Sequence, residues 1–207
     1  MNDTHDSSLK KDYLFCKWKK DHPEYLVGKY GDEFPFGANR WSSVNYDIPE
    51  VREKVYRILF DVCSRYDVEG VELDFFRHPV LFKSQMTGEP VTQEQCDKMT
   101  ELIARIHEMI KKIGMQRKKA ILLAIRVPDS VEYCKAIGID LLKWLENDYV
   151  DLITGADYFK LEPWENLASL GTKFDVPVFA CFESRRIEQT KDPEGKTNLQ
   201  IWRGECL

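Results

Sequence analysis

The feature that most constrains the fold is a regular alternation of helical and extended patterns along the chain. Helix-start signals at Pro49, Thr92, Ser130 and Pro163 each open a stretch of helical spacing, and each stretch is followed by a short apolar run. These runs predict four strands, at residues 71–76, 120–127, 150–153 and 176–182. Strands that alternate with helices at this pitch predict βαβ units and a parallel sheet.

The polar residues distinguish between two parallel folds. No Gly-x-Gly-x-x-Gly motif follows a predicted strand and no phosphate-binding Walker loop is present, so the sequence gives no support to a dinucleotide-binding sheet. Polar side chains cluster where the strands end, namely Asp74, Arg77, Arg126, Asp157, Tyr158, Glu183 and Arg185. Barrel enzymes bind ligands at this end of their strands, so the pattern favours a (β/α)8 TIM barrel.

The number of strands predicts only part of such a barrel. A full barrel takes about 250 residues, whereas this chain has 207 residues and four predicted strands. We expect a single α/β domain over 1–207 that holds roughly the fourth to seventh strands and is incomplete at both ends. Open strand edges would then be exposed, which is consistent with a fragment, a truncated gene model or a homo-oligomer that completes the sheet.

Composition and charge argue mildly against some classes of partner. The net charge of −5 argues against nucleic acid or an anionic membrane as the main partner, and no apolar run has the length of a membrane span. The six cysteines are scattered without paired metal-ligand spacing, so they are predicted to be small buried hydrophobic residues. The first residues are polar and lack a signal-peptide pattern, which leaves the compartment open.

The predicted strand at 71–76 carries two acids on one face. Glu72 and Asp74 are two positions apart and therefore share a face, while Val71, Leu73 and Phe75 take the other. We expect Glu72 to lie deeper than Asp74 and to be buried. A buried carboxylate needs a partner, so both acids are predicted to form a network with Arg126 on the next strand.

The sequence around this strand resembles a known family. Residues 66–79, Tyr-Asp-Val-Glu-Gly-Val-Glu-Leu-Asp-Phe-Phe-Arg-His-Pro, resemble the fourth-strand signature of glycosyl-hydrolase-like TIM-barrel proteins, which are bacterial proteins assigned to polysaccharide cleavage. Residues 1–6 resemble the polar motif after the third strand of that family. Residues 126–130 with 138–140 resemble the fifth strand and its helix, and 150–159 resemble the sixth strand. The resemblance implies a barrel that acts on carbohydrate.

Glycoside hydrolysis requires two carboxyl groups, one of which donates a proton while the other acts as nucleophile or base. Asp74 ends the presumed fourth strand and Glu183 ends the presumed seventh, and the large retaining glycosidase clan places its acids after these strands. We therefore predict Asp74 and Glu183 as the catalytic pair. The analogy is one of strand position, since that clan has Asn-Glu where this chain has Leu-Asp. A structural ion pair of Asp74 with Arg126 or Arg77 is the alternative.

The remaining polar residues near the predicted strand ends are candidates for substrate contact. This set is Asn2, Asp3, His5, Glu72, Arg77, His78, Arg126, Asp157 and Tyr158. His5 with Asp3 and Asp6 could bind a metal, but no second histidine lies at ligand spacing, so the sequence predicts neither a metal nor a cofactor. Aromatic residues that could stack on sugars are Trp18, Trp41, Phe82, Tyr158 and Trp164, of which at least half should be structural.

Three functions remain open from the sequence. The first is a glycoside hydrolase acting on a poly- or oligosaccharide. The second is a non-catalytic carbohydrate-binding or scaffold protein derived from the same fold. A lyase or aldolase is weaker, because a Schiff-base lysine would be expected on a strand and the predicted strands carry none. Carbohydrate is the predicted partner in the first two.

Overall fold

A computed structural model of the protein describes residues 15–32, 41–75, 79–155 and 161–181. Within these ranges six α-helices alternate with four strands. The helices are α1 (Lys17–Asp21), α2 (Pro49–Arg65), α3 (Gln93–Arg117), α4 (Val131–Ala136), α5 (Leu141–Glu146) and α6 (Trp164–Phe174). The strands are β1 (Gly70–Asp74), β2 (Leu122–Val127), β3 (Leu152–Gly155) and β4 (Val178–Ala180). Two short 3-10 helices, Pro23–Tyr25 and Lys83–Thr87, lie outside this alternation.

The four strands form one parallel sheet in the order β1-β2-β3-β4. Each strand thus pairs with the next one along the chain, as in a (β/α) barrel, whereas a doubly wound sheet reverses its strand order at a switch point. The predicted parallel sheet is confirmed. The fold is α/β, with the topology of a partial (β/α)8 barrel.

The two faces of the sheet have different environments. One face carries Leu73, Ile125 and Ile153, which join a hydrophobic core that includes the buried stripe of α3. On the opposite face Leu122 is 40% exposed and Phe179 is 56% exposed. The connecting helices therefore pack on a single side of the sheet, which is the arrangement of a barrel wall.

Helix starts follow local signals, as the sequence predicted. Pro49 occupies the first turn of α2, where its missing N–H costs no hydrogen bond. Thr92 and Gln95 form a reciprocal capping box at α3: the Gln95 N–H donates to Thr92 Oγ1 at 3.2 Å, and the Thr92 N–H donates to Gln95 Oε1 at 3.0 Å. Both helices begin where predicted because the signals act within a few residues.

Strand boundaries differ from the prediction by about two residues. The second and fourth strands begin at Leu122 and Val178, later than predicted, and the third begins at Leu152 rather than 150. The apolar runs extend beyond the ladders because the residues that lead into two of the strands are also buried. Val150 is 3% exposed and Val176 is 9% exposed, although neither pairs in the ladder.

The segment after β1 corrects one expectation. Phe82 is one of the aromatic residues that the sequence offered for stacking on sugars, but it is 0% exposed and its neighbour Leu81 is 2% exposed. Gln85 Oε1 accepts hydrogen bonds from the N–H groups of Leu81 at 2.8 Å and Phe82 at 2.9 Å, which holds the turn. The Phe82 ring packs on Gly138, where an added Cβ would lie 2.4 Å from the ring and φ is +98°. Phe82 is therefore a core residue, not a stacking surface for sugar.

Burial also tests the sequence predictions for Trp41 and for the cysteines. Trp41 is 8% exposed and belongs to the core. Cys63, Cys96 and Cys134 are buried free thiols, as predicted, and burial raises the pKa of Cys134 above its ordinary range. Cys16 is exposed, so the prediction is wrong for that residue. Cys206 lies outside the described residues.

The amino end of the sheet is tied together by polar contacts between different elements. Lys119 Nζ lies 3.1 Å from Asp67 Oδ1 and 2.9 Å from Glu69 Oε1, which joins the entries to β1 and β2. The Asp151 carboxylate accepts the Leu123 N–H at 2.7 Å, which joins β2 to the entry of β3. These contacts join three strands at the end opposite to Asp74, in addition to the ladder hydrogen bonds that set their register.

Candidate functional site

The strongest candidate site lies at the carboxyl end of the sheet, where an acid and a base meet on adjacent strands. Asp74 ends β1 and is the register partner of Arg126 on β2. The Arg126 Nη2 donates to Asp74 Oδ2 in an ion pair. The side chains are 37% and 24% exposed, so the pair lies at the surface of the sheet within reach of solvent. The predicted Asp74–Arg126 contact is confirmed.

The register places two further side chains beside this pair. Arg126 is the partner of Thr154 on β3, and Thr154 is the partner of Phe179 on β4. The four residues therefore form one row across the sheet, on the face away from the helices. We call Asp74, Arg126, Thr154 and Phe179 the carboxyl-end row. Along it, a carboxylate, a guanidinium, a hydroxyl and an aromatic ring follow one another.

Glu72 differs from the prediction. It lies one position deeper on the same face, beside Ala124, but it is exposed. In the part of the chain that the structure describes, no hydrogen bond or ion pair links it to Arg126. The expected burial was wrong because this face of the described sheet is open to solvent. Glu72 thus remains an accessible carboxylate below the row.

A thiol lies on the other side of Arg126. Arg126 Nη1 is 3.8 Å from the Sγ of Cys181, the residue after β4. The Cys181 N–H donates to the Gly155 carbonyl at 2.9 Å, which fixes the backbone just beyond the ladder. The guanidinium therefore connects the ends of β1 and β4 across β2 and β3.

Behind the row, a buried acid holds two loops together. Asp129 is 4% exposed, and its two carboxylate oxygens accept the Leu161 N–H at 3.2 and 3.1 Å. The loop after β2 is thereby joined to the loop after β3. Next to it, hydrogen bonds from Ser130 and, to a smaller extent, Asn166 lower the pKa of Glu162. The Ser130 hydroxyl also caps α4 by accepting the Tyr133 N–H at 3.2 Å.

The other predicted site residues lie outside the described residues. They are Asn2, Asp3, His5, Arg77, His78, Asp157, Tyr158 and Glu183. The catalytic pairing of Asp74 with Glu183 therefore stays a prediction. The sequence did not indicate three residues near Asp74, namely Thr154, Phe179 and Cys181, because only the strand register brings them to this end of the sheet. An alternation pattern alone does not fix that register.

Two surface grooves occur elsewhere. One, of about 470 Å³, lies between α2 and α3, and another, of about 630 Å³, lies between the α1 segment and α2. Neither includes Asp74 or Arg126, and both lie on the helical side. Ligands of barrel proteins bind at the carboxyl ends of strands, so the carboxyl-end row is the better candidate.

Two further surveys cover the described ranges only. Those ranges contain no cluster of three or more His, Cys, Asp or Glu side chains that could hold a metal ion. They also contain no helix of the length and apolar character needed to cross a bilayer.

Comparison with known proteins gives distant structural neighbours. No protein-family model and no curated protein sequence matches the chain. A glycoside hydrolase family 18 N-acetylglucosaminidase from Paenibacillus barengoltzii is similar with a TM-score of 0.46 and 14% identity, over 65% of this chain and 45% of that one. A family GH18 chitinase from Chromobacterium violaceum is similar with a TM-score of 0.41 and 14% identity, over 69% of this chain and 24% of that one. The chain thus spans less than half the length of either neighbour.

Proposed function

We propose that the protein is a glycoside hydrolase in which Asp74 and Glu183 form the carboxylate pair. The observation that supports this proposal is the position of Asp74. Its carboxylate ends a parallel strand on the face away from the helices, is partly exposed, and contacts a guanidinium from the neighbouring strand. Barrel enzymes take their catalytic groups from this position.

The ion pair suggests a division of roles. A guanidinium in contact with a carboxyl group favours its ionised form. An ionised carboxylate suits the nucleophile or base of glycoside hydrolysis, whereas the general acid must hold a proton. We therefore assign the nucleophile or base role to Asp74 and the acid role to Glu183. Arg126 is a positioning residue, since it acts through the Asp74 carboxylate.

Substrate contacts are proposed for the polar residues that the sequence places near the same end. Glu72 lies one position below the row, with an exposed carboxylate that can accept sugar hydroxyls. Asn2, Asp3, His5, Arg77, His78, Asp157 and Tyr158 complete the proposed set. Glycans present many hydroxyl groups, so a site rich in carboxylates, amides and guanidinium groups suits them.

The test is an assay of reducing-end release on a panel of plant, bacterial and fungal polysaccharides. Wild type is compared with Asp74→Asn, Glu183→Gln and the matched control Asp61→Asn, an exposed acid on α2 at the helical side of the sheet. We expect turnover in wild type and control, and a loss of at least about a hundredfold in the two site variants. Wild-type turnover in Asp74→Asn would exclude the assignment.

Product stereochemistry refines the same test. A retaining enzyme requires a carboxyl separation of roughly 5–5.5 Å, and an inverting one roughly 6.5–9.5 Å. Proton NMR of the first product gives its anomeric form and therefore the expected Asp74–Glu183 separation. An experimental structure then checks that distance directly.

A carbohydrate-binding protein without catalysis is the second candidate. The observation that favours it is that Asp74 is already occupied by Arg126, as in a structural ion pair. In that case wild type would bind a glycan without cleaving it, and Asp74→Asn would leave the affinity unchanged. Calorimetric titration alongside the cleavage assay separates the two functions.

A further inference from the structure

An aromatic side chain stands at the far end of the carboxyl-end row. Phe179 is 56% exposed, whereas its neighbour Val178 packs against the hydrophobic core. Leaving so much of a phenyl ring in water forgoes a large part of the stabilisation that burial would supply. The protein nevertheless places this ring on the same face as Asp74 and Arg126.

Position distinguishes Phe179 from other exposed apolar residues. Of the large hydrophobic residues that are exposed in the described ranges, only Leu122 and Phe179 lie in strands. Leu122 begins β2 at the amino end, beside Gly70, away from the charged pair. Phe179 lies in register with Thr154 and, through it, with Arg126. A barrel interior is packed by such side chains, but those at the carboxyl end line its ligand-binding mouth.

We infer that Phe179 is a stacking platform for one pyranose unit of a glycan that runs along the carboxyl-end row. This inference rests on the proposed function. A pyranose ring has an apolar face of C–H groups and a polar edge of hydroxyls. The phenyl ring takes the apolar face of this unit, the neighbouring Thr154 hydroxyl takes its hydroxyl edge, and the charged pair contacts a different unit further along the glycan.

The spacing of the strands sets which sugar unit is involved. Asp74 and Phe179 are three strands apart, which corresponds to about 14 Å between their backbones along the sheet at the usual spacing of neighbouring strands. This span is longer than a disaccharide. A sugar on Phe179 is therefore remote from the unit that lies at Asp74, and its contribution depends on the length of the glycan.

The experiment measures affinity and cleavage for two lengths of the same sugars. The probes are cellohexaose, xylohexaose, mannohexaose and N-acetylchitohexaose, with the corresponding disaccharides, titrated into wild type, Phe179→Ala, Phe179→Trp and the control Leu122→Ala. For the hexaose that wild type binds, we expect Phe179→Ala to weaken affinity about tenfold, the size of an aromatic stacking contact. Phe179→Trp retains a ring and should keep the affinity, and Leu122→Ala should match wild type.

Chain length and kinetics provide the sharper readout. The Phe179→Ala penalty should vanish with the disaccharide. In the cleavage assay Phe179→Ala should raise KM for the hexaose and leave kcat unchanged, whereas Asp74→Asn should lower kcat. Circular dichroism checks that each variant is folded, and Phe179→Leu, which removes the ring but keeps an apolar side chain, carries the same expected loss of affinity if the Ala variant is not folded.

Three results would overturn the inference. Equal hexaose affinity in Phe179→Ala and wild type, with turnover still lost in Asp74→Asn, would refute the platform and leave the proposed function intact. Equal penalties for disaccharide and hexaose would refute the orientation along the row. Absence of binding and cleavage with every probe and with the polysaccharide panel would refute both proposals.

Discussion

The buried hydrogen bond between Trp144 and Thr100 supplies a stringent test of the packing. Trp144 is fully buried in α5, and its indole N–H donates to Thr100 Oγ1 at 3.0 Å. The same hydroxyl donates to the Cys96 carbonyl at 2.9 Å, one turn back in α3. A single oxygen thus connects two helices on the helical side of the sheet. Thr100→Val removes that oxygen and keeps the shape of the side chain.

The expected fall in the free energy of unfolding of Thr100→Val follows from the loss of one hydrogen-bond acceptor. Since valine fills the same volume, no cavity forms, and the main effect is a buried indole N–H without a partner. Such a group costs about 1–3 kcal/mol. For a chain of 207 residues, each kcal/mol corresponds to a fall in Tm of about 2–4 °C. Thr100→Ser keeps the hydroxyl and loses only a methyl group, which should cost about 1 kcal/mol.

Urea unfolding, followed by tryptophan fluorescence and circular dichroism, gives the free energy of unfolding for each variant. A double-mutant cycle with Trp144→Phe isolates the hydrogen bond, because a phenyl ring has no N–H to satisfy. Thr100→Val should cost far less in that background than in wild type. A cost below about 0.5 kcal/mol in wild type, or an equal cost in both backgrounds, would refute the reasoning.

Two further predictions concern pH and close packing. Burial, followed by the charge of Lys111, lowers the pKa of His107 below its ordinary 6.5. The unfolded chain therefore binds the proton more readily than the folded one, and the free energy of unfolding should fall as pH drops below about 6.5. In urea unfolding between pH 7 and 5, His107→Gln should flatten this decline, and an unchanged slope would contradict the assignment. At Gly171 an added Cβ would lie 2.3 Å from Val178 Cγ2, so Gly171→Ala should push α6 off β4 and lower the free energy of unfolding by about 1–3 kcal/mol. The control Thr172→Ala, at an exposed position of the same helix, should change the free energy of unfolding by less than about 0.5 kcal/mol. Equal shifts in Tm for the two variants would show that α6 does not pack as described.

Local signals in the sequence were sufficient to place the starts of α2, α3, α4 and α6 and the alternation of these helices with the strands. Proline in the first turn of α2 and the capping box of α3 act over three or four residues, so the chain itself carries them. The alternation of Glu72 and Asp74 with Val71 and Leu73 also assigned the two faces of β1 correctly. These features depend on residues that are close in sequence.

Features that depend on distant residues were not predictable. Phe82 is buried because the glycine at position 138 leaves space for its ring, and nothing near Phe82 in sequence indicates this. Asp129 is a buried acid whose carboxylate accepts the Leu161 N–H across two loops, and nothing near Asp129 in sequence indicates this contact. Such contacts exist only once the elements have packed.

The candidate site shows the same limit. Asp74 and Arg126 were identified because each ends an apolar run, and parallel strands bring such ends together. Thr154 and Phe179 lie beside this pair because of the register of β3 and β4. A shift of that register by one residue would have placed both side chains on the opposite face of the sheet. The acids of a site are therefore easier to find from sequence than the neutral residues beside them.

The contacts at the amino end of the sheet bear on how such a protein can diverge. Lys119 with its two acids, and Asp151 with the Leu123 N–H, join three strands without using any residue of the carboxyl-end row. Substitutions in the loops at the opposite end therefore leave strand alignment in place. Homologues that have exchanged those loops for new specificities should still retain an acid at position 151 and a cation at position 119. Positions 119 and 151 are therefore the ones to compare between distant homologues whose sequence identity elsewhere is low.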